Sequence, residues 1–170
     1  MRPSPAAIAW TLLRLGLLLA LLPTRAASQV PEAELKAAFI YNFARFTQWP
    51  DSAAAAGPSF CIDEHSPLTP AVRALAGKPL DGRPLTVRTI TADMAPSGCR
   101  VWILGPASAP PPVDPQGTLV VSEGDRLDGR VMIVLVLEDS HVRFDIDTLA
   151  AQKAGLRFSS QLLRLARTTR

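Results

Sequence analysis

Few residues in this 170-residue chain have side chains suited to chemistry. It has only two histidines, His65 and His141, and two cysteines, Cys61 and Cys99. Ser140, His141 and Asp145 lie close together and invite a nucleophile–base–orienter reading, but such a set needs three side chains converging on one point. On an extended strand, His141 and Asp145 point the same way about 13 Å apart, which describes a solvated face. His65 follows Asp63 and Glu64 in a polar stretch, where carboxylates beside an imidazole make only a weak metal or acid–base site. No phosphate loop is present, because Gly77-Lys78 is followed by Pro79. No glycine-rich dinucleotide turn follows a strand, and no Gly-x-Ser-x-Gly elbow occurs. Glu123-Gly124-Asp125 and Asp128-Gly129 lack the alternating acidic ligands of a calcium loop and read as turns. The chain therefore offers no catalytic set, no metal site and no cofactor site. Its chemistry points to binding.

The cysteines bear on the compartment. An even count in an oxidising environment suggests a disulfide, and two cysteines allow a single pairing. The closed loop of about 39 residues would contribute roughly 4 kcal/mol on the chain-entropy estimate. Metal binding is the weaker alternative, since neither histidine stands at ligand spacing from them. The N-terminus agrees with an oxidising destination. Arg2 and Arg14 are positive, Leu15 to Leu22 is apolar, Pro23 breaks the run, and Ala26, Ala27 and Ser28 are small. That order is the order of a secretory signal peptide, expected over residues 1–27 with cleavage after Ala26 or Ser28. The apolar run falls well short of the roughly 20 residues needed to span a bilayer, and no cysteine follows it for lipid attachment. The chain carries 18 Lys and Arg against 15 Asp and Glu. Arg2, Arg14 and Arg25 lie in the leader, so 18 minus 3 leaves 15 basic residues against 15 acidic ones. A near-neutral mature domain lacks the basic excess of a nucleic-acid binder.

The elements that must position these residues follow from patterning. Pro31, Glu32 and Glu34 suit a helix start. Leu35, Phe39, Phe43 and Phe46 recur at helical spacing, and Pro50 stops the pattern, which predicts a helix over Glu32 to Gln48. Five of the chain's ten aromatics lie between Phe39 and Trp49. Tyr41 and Trp49 fall off the Phe face and are candidate partner contacts. Asp51 to Ser59 reads as a loop, and Phe60-Cys61-Ile62 as a short strand. A short helix capped by Ser66 or Thr69 runs through Val72 and Leu75 to Gly77. Strands are expected over Pro84 to Ile90, Cys99 to Leu104 and Thr118 to Ser122. Gly105 to Gly117, with five prolines, is an extended connector. Val131 to Leu137 is apolar throughout and predicts a strand buried on both faces. Glu138-Asp139-Ser140 turns the chain into His141 to Ile146, with Val142, Phe144 and Ile146 inward and His141, Arg143 and Asp145 outward. Asp147 or Thr148 caps a helix that Gly155 closes. Ser159 or Ser160 starts a last helix in which Leu162, Leu163, Leu165 and Ala166 pack, with Arg164, Arg167 and Arg170 at its end. The sum is a single Rossmann-like layered α/β domain over residues 28–170, a mixed β-sheet flanked by helices.

Several of these runs resemble the YfiR-like family of periplasmic regulatory proteins. The first is Leu35-Lys36-Ala37-Ala38-Phe39-Ile40-Tyr41-Asn42-Phe43-Ala44-Arg45-Phe46-Thr47-Gln48-Trp49-Pro50. The second is Gly77 to Leu85. The third is Val142-Arg143-Phe144-Asp145-Ile146-Asp147 with Ala150-Ala151, Ala154-Gly155-Leu156 and Ser159 to Ala166. The resemblance spans nearly the whole mature chain in order. It implies a periplasmic α/β protein, often a homodimer, that represses an inner-membrane diguanylate cyclase by binding its periplasmic sensor region. An outer-membrane lipoprotein that sequesters the repressor is a second implied partner. It also implies that Cys61 and Cys99 match a family disulfide; a second cysteine pair found late in some members is missing from this sequence. The candidate interface residues are then Tyr41, Trp49, His141, Arg143 and Asp145, with Arg164 and Arg167 of the last helix, since aromatics and arginine are favoured anchors. The alternative reading is a periplasmic small-molecule-binding module without a cyclase partner.

Overall fold

The computed structural model of the protein describes residues 31–55, 57–91, 97–106, 108, 115–124 and 128–170. The expected signal peptide and most of the proline-rich connector lie outside the described residues. In chain order the first elements are α1 (Glu32–Arg45), β1 (Thr47–Gln48), α2 (Asp51–Ala55), β2 (Ser59–Asp63), α3 (Thr69–Arg73), β3 (Pro79–Leu80), β4 (Arg83–Pro84) and β5 (Thr86–Ile90). There follow β6 (Val101–Leu104), β7 (Leu119–Glu123), β8 (Ile133–Glu138), β9 (His141–Ile146), α4 (Thr148–Lys153), β10 (Arg157–Phe158), α5 (Ser160–Leu165) and β11 (Thr168–Thr169).

Seven strands form one sheet in the order β11-β9-β8-β7-β6-β2-β5. From β5 to β8 every neighbouring pair is parallel; β9 turns back antiparallel to β8, and β11 lies parallel to β9. The fold is the expected α/β domain with a mixed sheet. Two small antiparallel ladders, β1–β10 and β3–β4, stand outside the main sheet.

Alternation along the strands sorts side chains to the two faces of the sheet. Phe60, Ile62, Val101, Ile103, Leu119, Val121, Ile133, Leu135, Phe144 and Ile146 share the main core with Ala37, Ile40 and Phe43 of α1, Val72 of α3, Ala150 of α4 and Leu162 of α5. Cys61, Trp102, Leu104, Val120 and Val134 form a second, smaller cluster on the opposite face. No described helix contributes a buried residue to that second cluster. The four helices that bury residues, α1, α3, α4 and α5, thus gather on one side of the sheet.

Helix α1 begins where its sequence signals place it. Pro31 is the N-cap, and Glu32 and Glu34 occupy the first turn. The helix ends at Arg45, three residues earlier than the Phe spacing predicts. The Phe46 N–H still reaches the carbonyls of Asn42 and Phe43. The next residues, Thr47 and Gln48, leave the helix to pair with Phe158 and Arg157. Thr47 Oγ1 donates to the Phe43 carbonyl at 2.7 Å and closes the last turn. Of the predicted apolar face, Phe43 is buried, Phe39 and Phe46 are half-buried against the core, and Leu35 is exposed. Phe39 and Phe43 meet Phe144 of β9 with ring centroids 5.9 and 4.8 Å away, and this contact seats α1 on the hairpin.

Other expectations need adjustment. The Asp51–Ser59 loop contains α2, and Ser59 already belongs to β2. Neither Ser66 nor Thr69 is the N-cap of α3; Leu68 holds that position, Ser66 Oγ accepts from the Leu68 N–H, and Thr69 Oγ1 turns back to the Asp63 carbonyl. Pro84 sits in the β3–β4 ladder rather than in β5, and Thr89 is exposed. Residues 131–135 are buried as expected, but Val136 is half-buried and Leu137 is 53% exposed. The hairpin extends past the helix layer there, so the last apolar residue loses its cover.

The C-terminal third follows its cap signals closely. Asp147 Oδ1 accepts the Ala150 N–H at 2.9 Å and starts α4. Gly155, at φ +75°, turns the chain out of that helix. Ser159 Oγ accepts the Leu162 N–H and starts α5. In α5, Leu162 is buried and Leu163 half-buried, but Leu165 is 65% exposed and does not pack as predicted. The helix stops at Leu165, because Arg167 N–H reaches the Phe144 carbonyl and the chain becomes β11 beside β9.

Candidate functional site

The outward face of the β8–β9 hairpin, with the C-terminal strand laid against it, gathers most of the exposed charge that the sequence singles out. In β9 the burial alternates as predicted: Val142, Phe144 and Ile146 are buried, while His141 and Arg143 are exposed and Asp145 half-buried. Cross-strand register sets Glu138 opposite His141, Val136 opposite Arg143, and Val134 opposite Asp145. These pairs share the face that carries the smaller core cluster, so the charged patch borders Val136 and Val134.

Arg167 organises the patch. It lies beyond α5 rather than inside it, in the link to β11. Its Nε and Nη2 donate to the two oxygens of Asp145 at 2.9 and 2.5 Å, and Nη1 donates to Glu138 Oε1 at 3.2 Å. A fork of this kind matches carboxylate geometry. The hydrogen bonds from Arg167 hold the Asp145 carboxyl below its usual range and outweigh the opposing effect of burial. The same contacts, led by the Asp145 hydrogen bond, push the Arg167 pKa upward. Backbone bonds from Arg167 N–H to Phe144 and from Arg170 N–H to Ile146 complete the ladder. Arg170 also pairs with Asp147 at 3.0 Å, so the α4 N-cap carboxylate anchors the C-terminus as well. His141 Nδ1 lies 2.7 Å from the Asp139 carbonyl. His141 and Asp145 are thus engaged with separate partners and do not converge with Ser140.

The seven interface candidates do not form one patch. His141, Arg143, Asp145 and Arg167 come together on the hairpin. Arg164 is exposed on α5. Tyr41 and Trp49 are half-buried elsewhere and hold structure together. The Tyr41 hydroxyl donates to the Pro79 carbonyl of β3. The Trp49 indole N–H reaches the Ala44 carbonyl at 3.4 Å, and its ring faces the Arg100 guanidinium at 4.4 Å. Arg100 precedes β6, three strands from β9 and so about 14 Å across the sheet.

Two charged clusters lie outside the candidate interface residues. Lys36 bridges Glu32 at 2.6 Å and Glu123 of β7 at 2.7 Å, with Lys36 and Glu123 both nearly buried. Burial works against the Lys36 ammonium, yet the hydrogen bonds to Glu123 and Glu32 outweigh it and raise its pKa. The Glu32–Lys36 spacing of four signals one half of this cluster; nothing local signals Glu123. The second cluster is Arg100, which is 3% exposed and pairs with Asp81 at 2.8 Å. Its charge sits immediately ahead of an apolar stretch, Val101 to Leu104, that reads simply as a strand.

The disulfide joins Cys61 of β2 to Cys99, just ahead of β6, with Cα atoms 5.8 Å apart. Arg88 of β5 lies over it, its Nη2 at 3.3 Å from Cys99 Sγ and 3.5 Å from Cys61 Sγ, and donates to the Ser97 carbonyl at 2.8 Å. Among the described residues, no group of three or more His, Cys, Asp or Glu side chains gathers to hold a metal ion. His65 is solvent-exposed, 3.6 Å from Glu64. No described helix is long and apolar enough to cross a membrane.

No curated protein matches the chain. The model of the YfiR/HmsC-like family matches residues 33–167, from the first turn of α1 to the arginine that docks the C-terminal strand. With 135 of 170 residues matched across α1, the disulfide-linked strands and the charged hairpin, the chain belongs to the YfiR/HmsC-like family.

Proposed function

We propose that this protein is a periplasmic regulator that represses an inner-membrane diguanylate cyclase by contacting its periplasmic sensor region, and so lowers cyclic di-GMP. Family membership over residues 33–167 carries the reading. The fold is compatible with it: a cross-linked core, and a charged hairpin face held rigid by Arg167. The residues proposed to meet the partner are His141 and Arg143, exposed on β9, with Arg164 nearby in sequence to the docked C-terminus. Asp145 and Arg167 position that face through their mutual fork. Tyr41 and Trp49 support the fold and leave the proposed interface. A signal peptide over residues 1–27 delivers the domain to the periplasm. An outer-membrane lipoprotein that sequesters the repressor, and a homodimer as the working form, belong to the same reading.

The test is intracellular cyclic di-GMP in cells with and without the gene. Deletion is expected to raise it and to increase biofilm. Complementation with the wild-type gene is expected to restore the low level, and Arg143→Glu to fail although the variant melts like wild type. An unchanged cyclic di-GMP level on both deletion and overexpression would sink the repressor reading.

A further inference from the structure

The charge of the domain is polarised along the chain. Residues 28–170 balance at 15 basic and 15 acidic side chains, yet residues 148–170 hold Lys153, Arg157, Arg164, Arg167 and Arg170 and no Asp or Glu. Taking those 5 from 15 leaves 10 basic residues against 15 acidic ones over residues 28–147, a net charge of −5 there against +5 in residues 148–170. Arg167 and Arg170 are engaged by Asp145, Glu138 and Asp147. Lys153, Arg157 and Arg164 are exposed and, among the described residues, have no carboxylate partner.

The fold brings these three cations to one outer surface. Helices α4 and α5 turn their inner sides to the main core through Ala150, Ala151 and Leu162. Between them lies a dimple of about 220 Å³ whose walls include Ala151 and Gln152 of α4, Leu156, Arg157 and Phe158 around β10, and Leu163 of α5. Arg157 is part of that wall, Lys153 follows Gln152, and Arg164 follows Leu163, so all three cations stand in or beside the dimple. Of the large apolar side chains described, the two most exposed, Leu149 at 62% and Leu165 at 65%, belong to the same two helices. Leu149 and Lys153 are four residues apart on α4 and share a face.

Protruding leucines set among unpaired cations, on a surface without carboxylates, match the interfacial zone of an anionic bilayer. Leucine enters the boundary of the acyl chains, and Lys and Arg extend their heads to the lipid phosphates. Each basic group held near such a surface strengthens binding roughly fivefold. The acidic remainder of the domain is repelled by the same field, which turns the basic side toward the bilayer. The dimple is smaller than the pockets that hold small molecules. An acidic protein would also satisfy the cations, but protein anchors seat in pockets, whereas Leu149 and Leu165 project from the surface, as suits a deformable apolar phase.

We propose that the outer surface of α4, β10 and α5 binds an anionic phospholipid bilayer, with Lys153, Arg157 and Arg164 on lipid phosphates and Leu149 in the acyl boundary. His141 and Arg143 lie on the other face of the sheet, and lipid binding holds whether or not the cyclase reading does. The test is co-sedimentation of protein purified from the periplasm with vesicles of mixed phosphatidylglycerol and phosphatidylcholine, against vesicles of phosphatidylcholine alone. At low salt the protein is expected to sediment with the mixed vesicles and to stay in solution with the others. Lys153→Gln/Arg157→Gln, at two exposed positions, is expected to melt like wild type and to bind at least tenfold more weakly. Leu149→Trp reports insertion: relative to wild type, its added emission is expected to shift to the blue on mixed vesicles and to be quenched by lipids brominated along their acyl chains. Failure to sediment with the mixed vesicles, equal sedimentation with phosphatidylcholine alone, or unchanged binding in the double variant would each overturn the proposal. Sedimentation without acyl-chain quenching in Leu149→Trp would overturn it too, and would assign the cations to an acidic protein partner.

Discussion

Removal of the Cys61–Cys99 link should destabilise the domain by about 4 kcal/mol. The cysteines lie 38 positions apart, and a closed loop of about 39 residues loses roughly 13 cal/mol/K of chain entropy when unfolded, or about 4 kcal/mol at 25 °C. Native contacts add little to that figure, because β2 and β6 stay paired through Phe60–Val101 and Ile62–Ile103 without the link. Total stability of a domain is commonly about 5–15 kcal/mol, so the reduced protein should fold only marginally. The clean comparison is urea unfolding of the oxidised protein against the same protein in reductant, since the only covalent change is the S–S bond replaced by two S–H groups. The double variant Cys61→Ala/Cys99→Ala should lose at least as much, because both sites are buried and truncation also removes packing. A loss below about 1 kcal/mol in reductant would refute the entropic argument. Loss of the whole effect in the double variant alone would assign the stabilisation to packing.

Three other outcomes are expected. Phe144→Ala, which removes the ring that meets Phe39 and Phe43, should cost about 3–5 kcal/mol in the same unfolding assay. Asp147→Ala loses the α4 N-cap and the Arg170 anchor together, at about 2 kcal/mol; hydrogen exchange should speed at both α4 and β11, and exchange confined to α4 would count against the shared anchor. The Asp145 carboxyl should titrate below its ordinary 3.8 in a carbon-detected NMR titration and return toward that value in Arg167→Ala. Since the folded pKa is the depressed one, the stabilisation is present above pH about 4 and is lost as pH falls through the folded value.

Legibility tracked how local the determining interactions are. The start of α1, the caps at Asp147 and Ser159, and the alternation of β9 all rest on residues within a few positions of one another, and each was readable. The end of α1 was not, because Thr47 and Gln48 are recruited by Phe158 and Arg157, more than a hundred residues away. The exposure of Leu137 and Leu165 was unreadable for a related reason. A leucine's cover depends on what stands opposite it, and periodicity names only the element. At the candidate site, His141, Arg143 and Asp145 were placed on one outward face by period alone. Their link to Arg167 is hidden, because Arg164, Arg167 and Arg170 continue a helical spacing although the chain leaves the helix at Leu165 to pair with β9.

By itself the sequence determined the class of fold, the hairpin with its charged outer face, the single possible disulfide pairing and the lack of a recognisable catalytic motif. These follow from composition, period-two alternation and turn chemistry, which act within one element. Only the tertiary structure decided the strand order, the gathering of α1, α3, α4 and α5 on one face, the C-terminal strand held by Arg167, and the burial of Arg100 between Trp49 and Asp81. Each of those depends on side chains far apart in the chain reaching one another, and a buried charge gains its partners only once the sheet brings them within bonding distance.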